Sequence, residues 1–153
     1  MTVGTRTEAA TSEGLAPPAW LAAHPGAPAP VRMAVDLLDA LERRALSEAE
    51  AHLGDGFTMV FPGPAEFTNF GAMAEAAKAR YQRVGKFIED VETLRRDGVD
   101  VVYVRGTLHG VNLHGVPFEG VRFVDRFEIQ DGRFTRQDVW NDLAESGVLQ
   151  RRA

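Results

Sequence analysis

The sequence predicts an α+β fold, with helices in its first half and a run of antiparallel strands in its second. Three observations carry this. Met33, Leu37, Leu38, Leu41 and Ala45 recur at the three-and-four spacing of a helix with one buried face. From residue 87 onward, alternating segments meet at Asp97-Gly98 and Asp131-Gly132, dipeptides suited to two-residue hairpin turns. Residues 121–130 alternate strictly: Val121, Phe123, Asp125, Phe127 and Ile129 share one face, and Arg122, Val124, Arg126, Glu128 and Gln130 the other. Helices followed by hairpins is an α+β order, and a strongly curved, mostly antiparallel sheet wrapped over about three helices would enclose an internal pocket.

In chain order, residues 1–30 are rich in Ala, Thr, Gly and Pro, and Pro17, Pro18, Pro25, Pro28 and Pro30 argue against a helix there. This stretch is expected to be a flexible arm, with Trp20 and Leu21 as the residues able to dock. Residues 31–153 are expected to form a single domain. The long helix from Val31 is followed by a short one, opened by Ser47 and Glu50 as a capping box and ending near Gly54. Residues 57–61 alternate as a strand stopped by Pro62-Gly63-Pro64, and 65–69 suit a short strand. A second long helix is predicted over 71–84, with Met73, Ala77, Tyr81 and Val84 along one side and Gly85-Lys86 as a linker. Strands are expected at 87–96, 99–112, 116–130 and 133–141.

Bulk properties narrow the function. The 153 residues suffice for one domain with a core, and 44% hydrophobic with 25% charged residues is ordinary for a globular protein. The net charge is -5 and the basic residues are dispersed in pairs, which argues against nucleic acid as a partner. With no cysteine, disulfides, thiol nucleophiles and thiolate metal sites are excluded. No apolar run reaches the roughly 20 residues of a membrane span, and the start lacks a signal-peptide pattern. A cytoplasmic protein without membrane contact is the expectation. His109 and His114 fall on opposite faces of extended chain with no carboxylate cluster, so no metal site is expected.

Asp125 is the residue that points to chemistry. A carboxylate on a buried strand face costs several kcal/mol if left charged and unpaired, so it is protonated, paired or used. One reading makes it a catalytic acid or base. The other makes it a structural acid paired with Arg105 or His109.

Helix, short helix, strand, helix and then four strands ending in DGRFTRQDVWND resembles the nuclear transport factor 2-like superfamily over about residues 31–145. Within it, GTLHG, VPFEG and VRFVDRFEIQDGRF are similar to the SnoaL-like polyketide cyclases, whose relatives include ketosteroid isomerases and limonene epoxide hydrolases. The resemblance implies a cone-shaped half-barrel and leaves activity open, because this fold hosts many chemistries. The segment Val124-Asp125-Arg126-Phe127 matches the isomerase stretch holding the protonated oxyanion-hole acid. The isomerase's oxyanion tyrosine and general-base aspartate fall on Leu37 and Phe61, so both are lost. Of the epoxide hydrolase's Arg-x-Asp pair and second aspartate, matched to Arg105-Gly106-Thr107 and Val139, only Arg105 survives. Asp138 lies one residue from that second aspartate and is expected to point away from the cavity.

The superfamily pattern further implies that Tyr103, Arg105, Thr107 and His109 face inward with Asp125, leaving Val102, Val104 and Leu108 outside. Thr135, Gln137, Val139 and Asn141 would face inward from the last strand, with Phe134, Arg136, Asp138 and Trp140 outside. The outer mixture of apolar and charged residues suits a homodimer through the convex sheet face. Asp125, His109 and Arg105 are therefore the candidate catalytic residues. Tyr103, Thr107, Tyr81, Phe61, Met59, Leu37, Phe123, Phe127, Gln137, Val139 and Asn141 are the candidate substrate-binding residues. Each also has a plain structural role open to it: His109 as a hairpin residue, the tyrosines as core residues with the hydroxyl tied off, Gln137 and Asn141 as strand-end caps.

Two classes of function follow. One is a cofactor-independent acid/base enzyme acting on a hydrophobic, oxygenated small molecule of polyketide, terpenoid or steroid type, by cyclisation or isomerisation, or by epoxide opening. The other is a non-catalytic module for ligand binding or dimerisation.

Overall fold

The structure, a computed structural model, describes residues 16–153. Its elements are α1 (Ala19–Ala23), α2 (Ala29–Glu42), α3 (Leu46–Glu50), β1 (Leu53–Val60), β2 (Glu66–Phe67), α4 (Phe70–Ala77), β3 (Tyr81–Arg96), β4 (Val99–Asn112), β5 (Pro117–Gln130), β6 (Arg133–Asn141) and α5 (Leu143–Ser146), closed by a 3-10 turn, Val148–Gln150. The strands form one curved, unclosed sheet in the order β2-β1-β6-β5-β4-β3, antiparallel except for the β1–β6 pair. This is the expected α+β architecture, with five helices among the described residues in place of about three. Among the described residues, no helix is long and apolar enough to cross a membrane.

Local chemistry explains most boundaries. Asp97-Gly98 and Asp131-Gly132 both adopt positive φ, at 51° and 80° and at 51° and 74°, as two-residue hairpin turns require. Asn69 caps α4 by accepting from the Ala72 amide at 2.8 Å. The capping box expected at Ser47 does not form: Ala45 is the N-cap, Ser47 lies inside α3, and the helix has no side-chain cap. Glu50 instead reaches the next helix and accepts from the Phe70 and Gly71 amides. The predicted 71–84 helix stops at Ala77, and Tyr81, Val84 and Lys86 belong to strand β3. Of the proline-rich stretch, residues 1–15 lie outside the described residues. Residues 19–23 are helical despite the flanking prolines, because Pro18 sits at the N-cap, where its missing amide costs nothing. Trp20 and Leu21 pack against the core, and Ala27 is buried.

Pairing decides which side chains face the helices. Val104 stands opposite Asp125 and Arg105 opposite Val124, so Val102, Val104 and Leu108 share the buried face with Phe123, Asp125 and Phe127. Tyr103, Arg105 and Thr107 are on the convex face, the reverse of the expected assignment. The plain apolar alternation of β4 was the better guide, since burial selects the valines and leucine.

Among the register shifts elsewhere in the sheet, two bulges change which residues face the core. Glu89 is an extra residue in β3, so Lys86 and Ile88 face inward before it and Val91 after it. Thr135 is an extra residue in β6, which turns Phe134 into the core against Phe127 at 5.5 Å and Thr135 out of it. The expected outer position of Phe134 and inner position of Thr135 are thus corrected. Gly106 sits where β4 crosses the β3 bulge, and a Cβ there would meet the Phe87 carbonyl oxygen. Gly106→Ala is expected to destabilise the fold by about 1–3 kcal/mol in urea unfolding, the cost typical of overpacking against backbone.

Candidate functional site

The concave face closes over a small chamber. Its walls come from α2 (Leu38, Leu41, Glu42), β1 (Met59), Phe61, α4 (Met73), β3 (Tyr81, Val84, Lys86), β4 (Leu108), β5 (Phe123, Asp125) and β6 (Gln137, Val139, Asn141). Arg44 and Arg80 also line it, and its volume is about 60 Å³.

Asp125 is fully buried on this wall, and neither carboxyl oxygen makes a hydrogen bond among the described residues. Lys86 Nζ lies 3.5 Å from Asp125 Oδ2, an ion-pair contact too long for a good hydrogen bond, and 5.2 Å from the Phe123 ring centre. Burial pushes the Asp125 carboxyl above the ordinary aspartate range, Lys86 pulls it back, and burial wins. The Gln137 side-chain oxygen is also buried without a hydrogen-bond partner among the described residues. Buried polar atoms are nearly always bonded, so three such atoms on one chamber wall mark a place built to meet something. Asn141 has one oxygen committed, accepting from the Leu143 amide at 3.1 Å.

The chamber collects Asp125, Tyr81, Phe61, Met59, Phe123, Gln137, Val139 and Asn141 of the expected site. The other expected residues fall elsewhere, each for a packing reason. Arg105 is on the convex face with Glu89 at 3.2 Å and Asp90 at 3.6 Å. Tyr103 is there too, its hydroxyl accepting from Arg126 Nε at 3.1 Å. Thr107, opposite Arg122 and Phe87, is half-buried on that same side. His109 stacks on Phe87 with ring centres 4.2 Å apart, and its Nε2 is 4.0 Å from Glu42, outside the chamber. Leu37 lines a separate hollow of about 90 Å³ between α2 and α3. Phe127 is core, packed on Phe134.

Neither Arg105 nor His109 can therefore partner Asp125; Lys86 does. The signal for Lys86 was present: on β3 it sits between Val84 and Ile88, a cation in an apolar row that mirrors Asp125 in its own. Placing residues 71–84 in a helix hid it. Asp138 faces away as expected, tied to Arg136 at 2.9 Å on the convex side. Among the described residues, no group of three or more His, Asp or Glu is placed to hold a metal ion.

The raised Asp125 pKa has a consequence for stability. Below the ordinary carboxyl range both folded and unfolded chains hold the proton, and ionisation contributes nothing. Above about pH 4 the unfolded chain releases its proton while the folded chain keeps it, so stability falls with rising pH until buried Asp125 itself ionises. Asp125→Asn has no such term. The stability difference between the two, read from urea unfolding, is expected to shift in favour of Asn as pH rises above about 4 and then level off.

No family model matches the sequence, and no curated protein matches it. Solved structures do. A candidate SnoaL-like polyketide cyclase of Shewanella putrefaciens CN-32 superposes with a TM-score of 0.67 at 15% identity, covering 89% of this chain and 95% of that one. TerC, co-crystallised with polyporic acid, gives 0.65 at 15% identity over 79% of this chain and 98% of that one. An epoxide hydrolase of M. tuberculosis, similar to limonene epoxide hydrolase, gives 0.56 at 20% identity over 78% and 89%. At these identities the likeness is one of fold. The chain has the nuclear transport factor 2-like fold, in the form found in SnoaL-like structures.

Proposed function

We propose that this chain is an acid/base enzyme acting on a hydrophobic, oxygenated small molecule, with Asp125 as the proton donor and Lys86 as its electrostatic partner. The observation that carries this reading is the fully buried Asp125 carboxyl, raised in pKa and without a hydrogen-bond partner among the described residues, on the wall of a largely apolar chamber. A neutral carboxylic acid there offers its O–H to a carbonyl or epoxide oxygen. When the proton passes to the substrate, the carboxylate left behind is stabilised by the Lys86 ammonium at 3.5 Å. Enone isomerisation, ring closure and epoxide opening all use such a proton, and polyketide, terpenoid and steroid-like compounds carry the required oxygen.

Turnover of a panel of polycyclic enones and small epoxides, compared between wild type and Asp125→Asn, tests this. Losing a general acid is expected to lower kcat by roughly 10²–10⁴-fold with little change in KM. Equal turnover by the two proteins would remove Asp125 from the chemistry. The second reading, a non-catalytic binding module, draws support from Leu37, Phe61 and Val139, apolar where the resembled enzymes carry acids or a hydroxyl. Binding of the same compounds without turnover by wild type would favour it.

The partner on the convex face is proposed to be a second copy of the chain. Trp140 is 52% exposed on that face, which also carries the exposed Tyr103, while charges there are neutralised in pairs, Arg126 with Glu128 at 2.7 Å and Arg136 with Asp138 at 2.9 Å. A half-exposed tryptophan amid satisfied charges suits an interface. Trp140→Glu is expected to convert a dimer to monomer in sedimentation velocity; a monomeric wild type would dismiss the interface.

A further inference from the structure

The inner chamber is too small for the ligand that the proposed chemistry needs. Its volume of about 60 Å³ is less than half of the roughly 150 Å³ that admits benzene in an apolar cavity. It takes a functional group and not a ring. Immediately beside it lies an outer cleft of about 530 Å³ between α1, α2 and the β3–β4 hairpin, within the roughly 300–1,000 Å³ usual for small-molecule sites.

The two spaces have Leu38, Glu42 and Lys86 as common walls. Two of these three are long, flexible charged chains, both partly exposed. Lys86 reaches from the cleft to Asp125, so one side chain touches both spaces. Gly85 makes the junction possible. A Cβ there would collide with the Glu42 carboxylate and lie 2.6 Å from the His109 ring, so the missing side chain lets α2 and β4 close over β3.

The cleft itself has a distinct chemistry. Phe87 is 57% exposed on its wall, the most exposed large apolar side chain among the described residues, and is stacked on His109. Trp20 lines the opposite side from α1. Asp39 and Glu42 are the acids on the α2 wall; Asp39 is neutralised by Arg43 at 2.8 Å, whereas Glu42 has His109 at 4.0 Å. With the Glu42 carboxylate and the Lys86 ammonium both on its walls, the cleft has no net charge to hold an ion, and its flat apolar faces favour an uncharged planar body.

We propose that chamber and cleft form one bipartite site for an elongated ligand, with a carbonyl or ether oxygen on Asp125 and a planar, uncharged ring system between Trp20 and Phe87. This rests on the functional reading of Asp125 and adds the shape and charge of the substrate. The division of labour also fits the partition: rotation of Lys86 and Glu42 opens the wall without disturbing the core. Phe87 and Trp20 then become specificity residues for the body, and Asp125 reads the oxygen.

The chain has two tryptophans, so Trp140→Phe leaves Trp20 alone. Fluorotryptophan-labelled Trp140→Phe protein is titrated with methyl naphthyl ketone, with naphthalene and naphthoate as controls, and Trp20 is followed by fluorine NMR. The ketone is expected to shift the Trp20 resonance, to bind more tightly than either control, and to lose about tenfold or more in affinity with Phe87→Ala and with Asp125→Leu. Phe87 lies outside the core, so its truncation leaves the fold intact; circular dichroism checks Asp125→Leu. Binding that depends on Asp125 while Trp20 stays silent and Phe87→Ala is neutral overturns the bipartite site but leaves the functional reading standing. Binding that depends on Phe87 and ignores Asp125 separates the two spaces and also overturns it. No binding of the ketone to the folded protein overturns both.

Discussion

The antiparallel ladder between β4 and β5 is the constraint from which the rest of this molecule follows. It sets Val104 opposite Asp125 and Arg105 opposite Val124. Residues opposite each other in a ladder share a face. One register therefore sends three apolar β4 residues into the core with the carboxyl and leaves Tyr103, Arg105 and Thr107 on the convex side. A slip by one residue would reverse every assignment. The β5–β6 pairing continues the same face through Val139 and, diagonally, Gln137, and β1 extends it through Met59.

Within that face the unusual expense is electrostatic. A full charge on Asp125 would cost several kcal/mol in so dry a place. The protein meets this with one cation at a distance that eases the charge without cancelling the effect of burial. Burial tightens the carboxyl's hold on its proton, and a stabilising charge stands beside it once the proton leaves. The convex face treats its charges in the opposite way: Arg126, Glu128, Arg136 and Asp138 lie at short distances in a network partly open to solvent, where pairing is structural.

Particular residues show where the sequence could be read and where it misled. Asp125 stood out because strict alternation surrounds it with Val121, Phe123, Phe127 and Ile129. Gln137, Val139 and Asn141 were legible because β6 keeps one pleat from residue 136 to its end. Phe134 was not, since the bulge at Thr135 is a property of the paired strands and leaves no mark in one strand's pattern. Lys86 was hidden by a boundary: Tyr81 and Val84 fit a helical stripe with Met73 and Ala77 as well as they fit a strand, and the choice turned on pairing with β4. The resemblance puts Arg105 and His109 inside, against the alternation of β4 itself.

By itself, the sequence determined the fold class, the hairpin turns and the one acid on a buried row, because these depend on local periodicity and on turn residues that tolerate positive φ. Only the tertiary structure decided the partner of that acid, the size of its chamber and the cleft beside it. Those depend on register, bulges and the approach of α2 over Gly85, which are contacts between segments far apart in the chain, and no single segment encodes them.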